Sequence, residues 1–217
     1  IVLQTVIGFT LAWLVDRKFR GHGFWTTVIL LPMMLSPAVV GNFWKFLYQP
    51  QIGLFNYIIS FFTGAEPSSF EMLGSVQLAP WAIVIVDTWM WTPYVMLICL
   101  AGLRSIPDYI YEAAEVDGAS RWKQFRNVTW PMAMPTTLVV MAYTTIQSFR
   151  AFDLIMVMTN STAGPDNSTN IFSTLIYLTL FNELRLGYAA AQTIFMVIVM
   201  ILITWLQRQA FGKRYEK

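Results

Sequence analysis

The segment Glu112–Pro131, EAAEVDGASRWKQFRNVTWP, determines how the whole chain is interpreted. It carries three acidic residues, then a glycine, then three basic residues. Apolar stretches long enough to cross a membrane lie before it and after it. The sequence therefore predicts a membrane protein in which a charged segment connects two spanning helices.

The composition of the 217-residue chain supports this interpretation. Hydrophobic residues make up 56% of the chain and charged residues 12%, with a mean hydropathy of +0.54. Soluble domains carry about 25% charged residues. The one cysteine, Cys99, offers neither an intramolecular disulfide nor a redox motif. We predict an all-α, polytopic transmembrane helical bundle that forms a single domain over 1–217.

Apolar stretches define the predicted spans. Four of them have about the 20 residues that a spanning helix needs, and the first is shorter. The short stretch predicts the end of a helix whose beginning is missing from this chain, so that one or more N-terminal helices are absent here. The predicted spans are 1–15 (partial), 24–47, 81–102, 136–158 and 186–206. The connection that contains Glu112–Pro131 covers 103–135, and we call this whole connection the charged segment.

Basic residues predict the orientation of these spans. Eleven of the 14 lie in the connections 16–23 and 103–135 and in the C-terminal tail, whereas the opposite connections hold only Arg185. By the positive-inside rule the basic side is cytoplasmic, together with the C-terminus. The eleven residues are Arg17, Lys18, Arg20, Arg104, Arg121, Lys123, Arg126, Arg208, Lys213, Arg214 and Lys217.

Local signals predict two short helices within the charged segment. Pro107 suits a first helical turn, and Gly118 suits the left-handed residue that follows a helix. Ser120 is a candidate N-cap for the second helix, which Pro131 and Pro135 are expected to stop before the next span. The composition of the segment alone is equally consistent with an alternative, a hairpin that lies on the lipid headgroups.

The order of residues closely resembles the EAA loop of binding-protein-dependent ABC importer permeases. That pattern is Glu-Ala-Ala, three residues, Gly, nine residues and Ile-x-Leu-Pro. Every spacing is kept here, with Val128 in place of Ile and Trp130 in place of Leu. The resemblance implies that the segment couples the permease to an ATPase. It carries this role to Glu112, Ala113, Ala114, Asp117, Gly118 and Pro131.

Further stretches resemble the carbohydrate-uptake branch of these permeases. They are DRKFRGHGFW with LLPMMLSP, FDLIMVMT, and LGYAAAQT before the last span. The resemblance implies the MetI-like permease fold in a bacterial or archaeal inner membrane. It also implies a second permease subunit (a paralogue), two cytoplasmic ATP-binding subunits and an extracytoplasmic solute-binding protein.

The same resemblance implies a membrane-embedded sugar site on the helices before and after the EAA loop. Aromatic rings can stack on a sugar while amide and hydroxyl groups bond its hydroxyls. Simple packing of the aromatic and Met residues is the alternative. The positions are Met90, Trp91, Tyr94, Thr144, Gln147 and Ser148.

Three charged residues inside apolar stretches favour a different transporter class. Asp87, Arg150 and Asp153 would serve an ion-coupled secondary transporter, since charge within a membrane usually has a functional partner. Arg150 and Asp153 are also spaced to pair with each other on one helix face. This alternative leaves the EAA spacing to chance.

Motifs for enzymatic chemistry are not found in the sequence. There is no phosphate-binding Gly-x-x-x-x-Gly-Lys-Ser/Thr loop, metal cluster, catalytic triad or acid–base pair. We therefore expect no enzyme activity, no cofactor or metal bound by this chain, and no nucleic-acid partner. ATP and magnesium are expected on a separate subunit.

Overall fold

A computed structural model describes residues 1–17 and 20–211 of the chain. Every regular element in these residues is helical, which confirms the all-α prediction. Four basic residues used to predict the orientation, Lys18, Lys213, Arg214 and Lys217, lie outside the described residues. The α-helices are α1 (Val2–Asp16), α2 (His22–Leu30), α3 (Pro37–Leu47), α4 (Leu54–Thr63), α5 (Ala79–Arg104), α6 (Asp108–Val116), α7 (Arg121–Gln124), α8 (Trp130–Phe149), α9 (Phe152–Met158), α10 (Phe172–Tyr177) and α11 (Leu186–Phe211).

Two predicted spans are interrupted rather than continuous helices. The stretch 24–47 contains α2, a 3-10 turn and then α3, with a break at 35–36. Ser36 has ψ 139°, because the ring of Pro37 disfavours a helical conformation in the residue before it. The stretch 136–158 is broken after Phe149, and no proline or glycine marks that second break.

Helix length bears on which segments can cross a membrane. Within the described residues, α5 and α11 are long and apolar enough to do so. A third span is possible if the helices on either side of the 35–36 break act as one. The apolar helix α1 is shorter, at 15 residues. The five-span arrangement therefore stays a prediction.

The chain divides into two compact units. One contains 1–33, 91–148 and 199–217, and the other contains 34–90 and 149–198. The core of the first unit is built from one face of α1, the C-terminal half of α5 and one face of α8. Its buried members are Phe9, Ala12, Val15, Val95, Met96, Cys99, Leu100, Leu103, Ile106, Ala133 and Val140.

The second unit is organised around α3, the N-terminal part of α5 and α9. Tyr48, which is 1% exposed, donates a hydrogen bond to the carbonyl of Ala82 at 3.2 Å. Burial raises the pKa of the Tyr48 hydroxyl above its ordinary value. Lys45 donates a hydrogen bond to Asn160 in the loop after α9. A cavity of about 430 Å³ lies between the end of α3 and this loop.

Candidate functional site

The first half of the charged segment folds as a helix that ends at a glycine. In the C-terminal motif of α6, the amide of Gly118 donates to Glu115 O and the amide of Ala119 donates to Ala114 O, both at 2.9 Å. Gly118 has φ +69°, the left-handed conformation that this motif requires and that glycine adopts without strain. The prediction that Gly118 is the left-handed residue following a helix is confirmed.

The second half begins as predicted and continues differently. The Ser120 side chain accepts a hydrogen bond from the amide of Lys123, so Ser120 is the N-cap of α7. Contrary to the prediction, neither Pro131 nor Pro135 stops the helix. Helix α7 passes through a π-helical turn at Phe125–Thr129 directly into α8, which contains both prolines. Proline lacks an amide hydrogen and its ring crowds the preceding turn. The wider π turn, closed by the amide of Trp130 on Phe125 O, lies directly before Pro131 and accommodates both effects.

Side-chain bonds hold the two halves of the segment together. The Tyr111 and Thr129 hydroxyls are 3.1 Å apart, which connects α6 to the π turn. The Gln124 side chain donates to the carbonyl of Ala119 at 3.3 Å, which ties α7 to the connection that follows Gly118. The segment is therefore a braced helix–glycine–helix unit.

The outer surface of this unit combines charge with apolar groups. Glu112, Ala113, Asp117 and Gly118 are exposed, whereas Ala114 and Pro131 are half-buried. The structure adds two exposed residues that sequence reasoning missed: Val116 is 88% exposed and Tyr109 is 68% exposed. Helical spacing places Tyr109, Glu112 and Val116 on one face, which is the signal that would have identified them.

Charged groups surround the point where α5 enters the segment. Arg104 Nε lies 3.5 Å from Asp16 Oδ1 at the end of α1, and Arg104 Nη2 lies 3.1 Å from His22 Nε2. Both partners of the ion pair are partly exposed, so the pair contributes little stability. A cavity of about 730 Å³ beside it is lined by Asp16, Arg20, His22, Leu103, Arg104, Ile106, Asp108 and Tyr111.

The candidate sugar-site residues lie on α5 and α8. Trp91, Tyr94, Gln147 and Ser148 are half-buried, and Thr144 is buried. The Thr144 hydroxyl donates to Met141 O at 3.0 Å, and the Ser148 hydroxyl donates to Thr144 O at 2.8 Å. Both hydroxyls keep acceptor capacity for a ligand. Met90, 1% exposed, belongs to the other unit.

Neighbouring polar residues were missed by sequence reasoning. The ring of Tyr143 lies 4.5 Å from that of Tyr94, at an interplanar angle of 33°. Gln207 on α11 donates to the Thr145 hydroxyl at 2.8 Å. Thr92, 5% exposed, has a buried hydroxyl without a hydrogen-bond partner. The sequence signal that could have identified these residues is that polar side chains occur within otherwise apolar stretches.

The predicted pairing of Arg150 with Asp153 is wrong. The two residues flank the break between α8 and α9, where the Phe152 amide donates to Arg150 O at 2.7 Å. They therefore do not share a helix face, and both are exposed. Ion pairs among the described residues include Asp16–Arg104 and Glu183–Arg185. Asp87 is half-buried on α5 and has an interaction partner.

No metal-binding group of three or more His, Cys, Asp or Glu residues occurs within 1–17 and 20–211.

The family of the chain follows from a sequence comparison. A family model described as the binding-protein-dependent transport system inner membrane component matches residues 4–217. The chain belongs to this family. A member of this family is a membrane component of a transport system, and the permease prediction is therefore confirmed.

Two relatives show where within the permease family the chain lies. It is 34% identical over 201 residues to the trehalose/maltose transport system permease protein MalF of Thermococcus litoralis, covering 93% of this chain and 65% of that protein. It is 32% identical over 209 residues to a probable starch degradation products transport system permease protein, AmyD, of Thermoanaerobacterium thermosulfurigenes, covering 94% and 68%. The chain thus spans about two thirds of the length of these relatives.

A solved structure shares the permease fold. The crystal structure of a bacterial alginate ABC transporter, in complex with an alginate pentasaccharide-bound periplasmic protein, matches with a TM-score of 0.83 at 20% identity. The match covers 98% of this chain and 73% of that one. The predicted permease fold is confirmed by this similarity.

Proposed function

We propose that this chain is a permease subunit of an ATP-driven importer that moves a carbohydrate or a related polyol into the cell. The observation that carries the proposal is the braced, exposed helix–glycine–helix unit of 103–135, which keeps the spacing of the EAA pattern. The relatives named for trehalose, maltose and starch products support the carbohydrate class.

The geometry of the segment suits a docking role. The exposed face that contains Tyr109, Glu112 and Val116 offers one carboxylate between two apolar groups. Such a face fits a cleft with a basic group and apolar walls, and Ala113 permits close approach. The bonds that brace the bend keep the face rigid when a partner moves it. Asp117 and Gly118 shape the bend, and Pro131 shapes the start of α8; none of the three contacts the partner.

The partners follow from this role. Two cytoplasmic ATP-binding subunits hydrolyse ATP, since this chain has no phosphate-binding loop. A second permease subunit, a paralogue, completes the membrane pathway, and an extracytoplasmic binding protein delivers the solute. The alginate transporter, whose structure includes a periplasmic protein, supports the last partner by analogy of fold.

The solute pathway is proposed on α5 and α8 within one unit. Trp91 and the Tyr94–Tyr143 ring pair supply flat apolar faces, and Gln147, Thr144 and Ser148 supply hydrogen-bonding groups. These types match the alternating apolar and hydroxyl surfaces of a sugar ring. The 21-residue stretch from Trp130 to Arg150 has no charged side chain before Arg150, which suits an uncharged solute.

The proposed location is the inner membrane of a bacterium or archaeon, in which the chain crosses several times. The segment 103–135 and the C-terminus face the cytoplasm. The distribution of basic residues supports this orientation, because loops rich in Lys and Arg stay on the cytoplasmic side.

Reconstitution of the whole transporter tests the proposal. The full-length protein is co-purified with the permease and ATPase subunits encoded beside it and placed in proteoliposomes with the neighbouring binding protein. We expect uptake of a radiolabelled sugar that requires ATP and the binding protein. Uptake driven by an ion gradient without ATP would contradict the proposal and favour the secondary transporter.

A further inference from the structure

Five aromatic side chains from α1 and from the charged segment form one cluster. The ring centroid of Phe125 lies 5.3 Å from Trp13, 5.5 Å from Trp122, and 6.4 Å from both Phe9 and Trp130. Phe9 and Trp130 pack edge to face at 5.1 Å. We call these residues the aromatic cluster: Phe9, Trp13, Trp122, Phe125 and Trp130.

The aromatic cluster leads from the surface of the charged segment into the core. Trp122 is 70% exposed and stacks on Phe125 with an interplanar angle of 21°. Phe9, at the other end, is 6% exposed and belongs to the core that α1 shares with α5 and α8. Ring contacts therefore connect the outer face of the segment to α1, which is distant in sequence.

Phe125 has an unusual position in the backbone as well. It begins the π-helical turn Phe125–Thr129 between α7 and α8. π turns have weaker hydrogen-bond geometry than α-helices and occur frequently at functional sites. The π turn thus begins at the residue that has the most ring contacts within the aromatic cluster. The π turn allows α7 to move relative to α8, and the close-packed rings carry this movement to α1.

We propose that Phe125 and Trp13 are positioning residues that transmit movement of the charged segment to α1. The inference rests on the proposed function, since that movement is the one imposed by the ATPase subunits. Movement of the segment reaches α5 and α8 directly, because both helices continue from it along the chain. The inference adds α1 to the elements that move. Trp122 is the contact of the aromatic cluster on the ATPase side, and Phe9 is its contact on the core side.

A merely structural role for the aromatic cluster makes a different prediction. Loss of packing would lower the melting temperature and the amount of assembled transporter, with unchanged turnover per complex. Transmission instead predicts that ATP hydrolysis continues while less solute is moved for each ATP. The ratio of solute to ATP therefore separates the two roles.

The experiment measures solute uptake and ATP hydrolysis in the same proteoliposomes of the assembled transporter. The variants are Phe125→Leu and Trp13→Leu, singly and together. Phe24→Leu is the matched control, because Phe24 is 68% exposed in the same unit and packs on Trp25 outside the aromatic cluster. Phe125→Tyr retains the ring and is the test of rescue.

We expect each leucine variant to lower the solute-to-ATP ratio at least about fivefold, the lower end of typical coupling between sites. The double variant should be no worse than the stronger single variant, because both changes interrupt one path. Phe125→Tyr and the control should keep the ratio of the unmodified protein.

Three results would overturn the inference. These are an unchanged ratio in both leucine variants, an effect of Phe125→Leu without one of Trp13→Leu, and a parallel loss of uptake, hydrolysis and assembly. Failure of the unmodified transporter to couple uptake to ATP would instead refute the proposed function, and the inference with it.

Discussion

The hydroxyl of Tyr111 lies 3.1 Å from the hydroxyl of Thr129, and this contact joins α6 to the π turn on the other side of Gly118. Thr129 is buried, with 5% of its surface exposed. The contact fixes the angle between the two halves of the charged segment, which the backbone alone would leave to a single glycine. A rigid segment can transmit a force that a loose hairpin would dissipate.

Removal of this hydrogen bond provides the first prediction. Tyr111→Phe should lower the free energy of unfolding by about 1 kcal/mol, because it leaves the buried Thr129 hydroxyl without its partner. Tyr109→Phe is the control, since Tyr109 is 68% exposed. The control should change stability by less than about 0.5 kcal/mol. Thermal unfolding of the purified protein in detergent measures both, and equal effects would contradict the bracing role.

The second prediction concerns the backbone at Gly118. Gly118→Ala should cost about 1–2 kcal/mol, because an L side chain is strained at φ +69°. An added methyl group there meets no atom within 4 Å, so the cost is conformational rather than steric. Gly187→Ala, also in open space but without a positive φ, is the control. ATP-driven uptake should fall for Gly118→Ala alone, and equal uptake by both variants would show that the bend is dispensable.

The third prediction concerns the approach of α5 to α8 beside the charged segment. A methyl group added at Gly102 would lie 2.8 Å from Thr136 Cβ. Gly102→Ala should therefore destabilise the protein by about 1–3 kcal/mol through overpacking. Thr136→Gly in the same chain should restore part of the melting temperature, because it removes Thr136 Cβ, Oγ1 and Cγ2, the three atoms nearest to the added methyl group. Additive losses in the double variant would rule out this explanation.

These positions show how much of the molecule the sequence predicts. Gly118 and Ser120 were predicted because their signals are local: a left-handed glycine and a helix cap depend on adjacent residues. The break at 35–36 was missed although Pro37 is a local signal for it. The break after Phe149 was missed because an apolar stretch has the same hydropathy whether it forms one helix or two. The passage of the helix through Pro131 was missed because a π turn has no sequence signal.

The candidate site was also predictable only in part. Exposure of Glu112 and Ala113 could be expected from their place in a charged segment. The contacts of Phe125 with Phe9 and Trp13 could not, because they join residues far apart in sequence through tertiary packing. The hydrogen bond from Gln207 to Thr145 is of the same long-range kind.

The fourth prediction concerns the solute pathway. Trp91→Ala and Gln147→Ala should lower uptake per assembled transporter, since a stacking surface or a hydrogen bond is worth on the order of 1 kcal/mol. Assembly with the ATPase subunits should persist. Trp81→Ala on the same helix is the control, because Trp81 is 64% exposed. Normal uptake per complex with a lower melting temperature would indicate packing residues instead of a pathway.

The fifth prediction concerns orientation. A cysteine at exposed Ser68 should react with a membrane-impermeant thiol reagent in intact cells, and one at exposed Ser120 should react only after the cells are opened. The native Cys99 is 1% exposed and should give no background. Labelling of Ser120→Cys but not Ser68→Cys in intact cells would invert the orientation.

The central claim is that the segment 103–135 couples this permease to ATP hydrolysis, and charge reversal at Glu112 tests it most directly. The measurement is ATP-driven solute uptake per assembled transporter for Glu112→Lys, with Glu66→Lys, another exposed carboxylate, as the control. Glu112→Lys should insert in the membrane at the normal level and lose uptake, while Glu66→Lys should keep it. Normal uptake by Glu112→Lys at the expression level of the unmodified protein would contradict the coupling role.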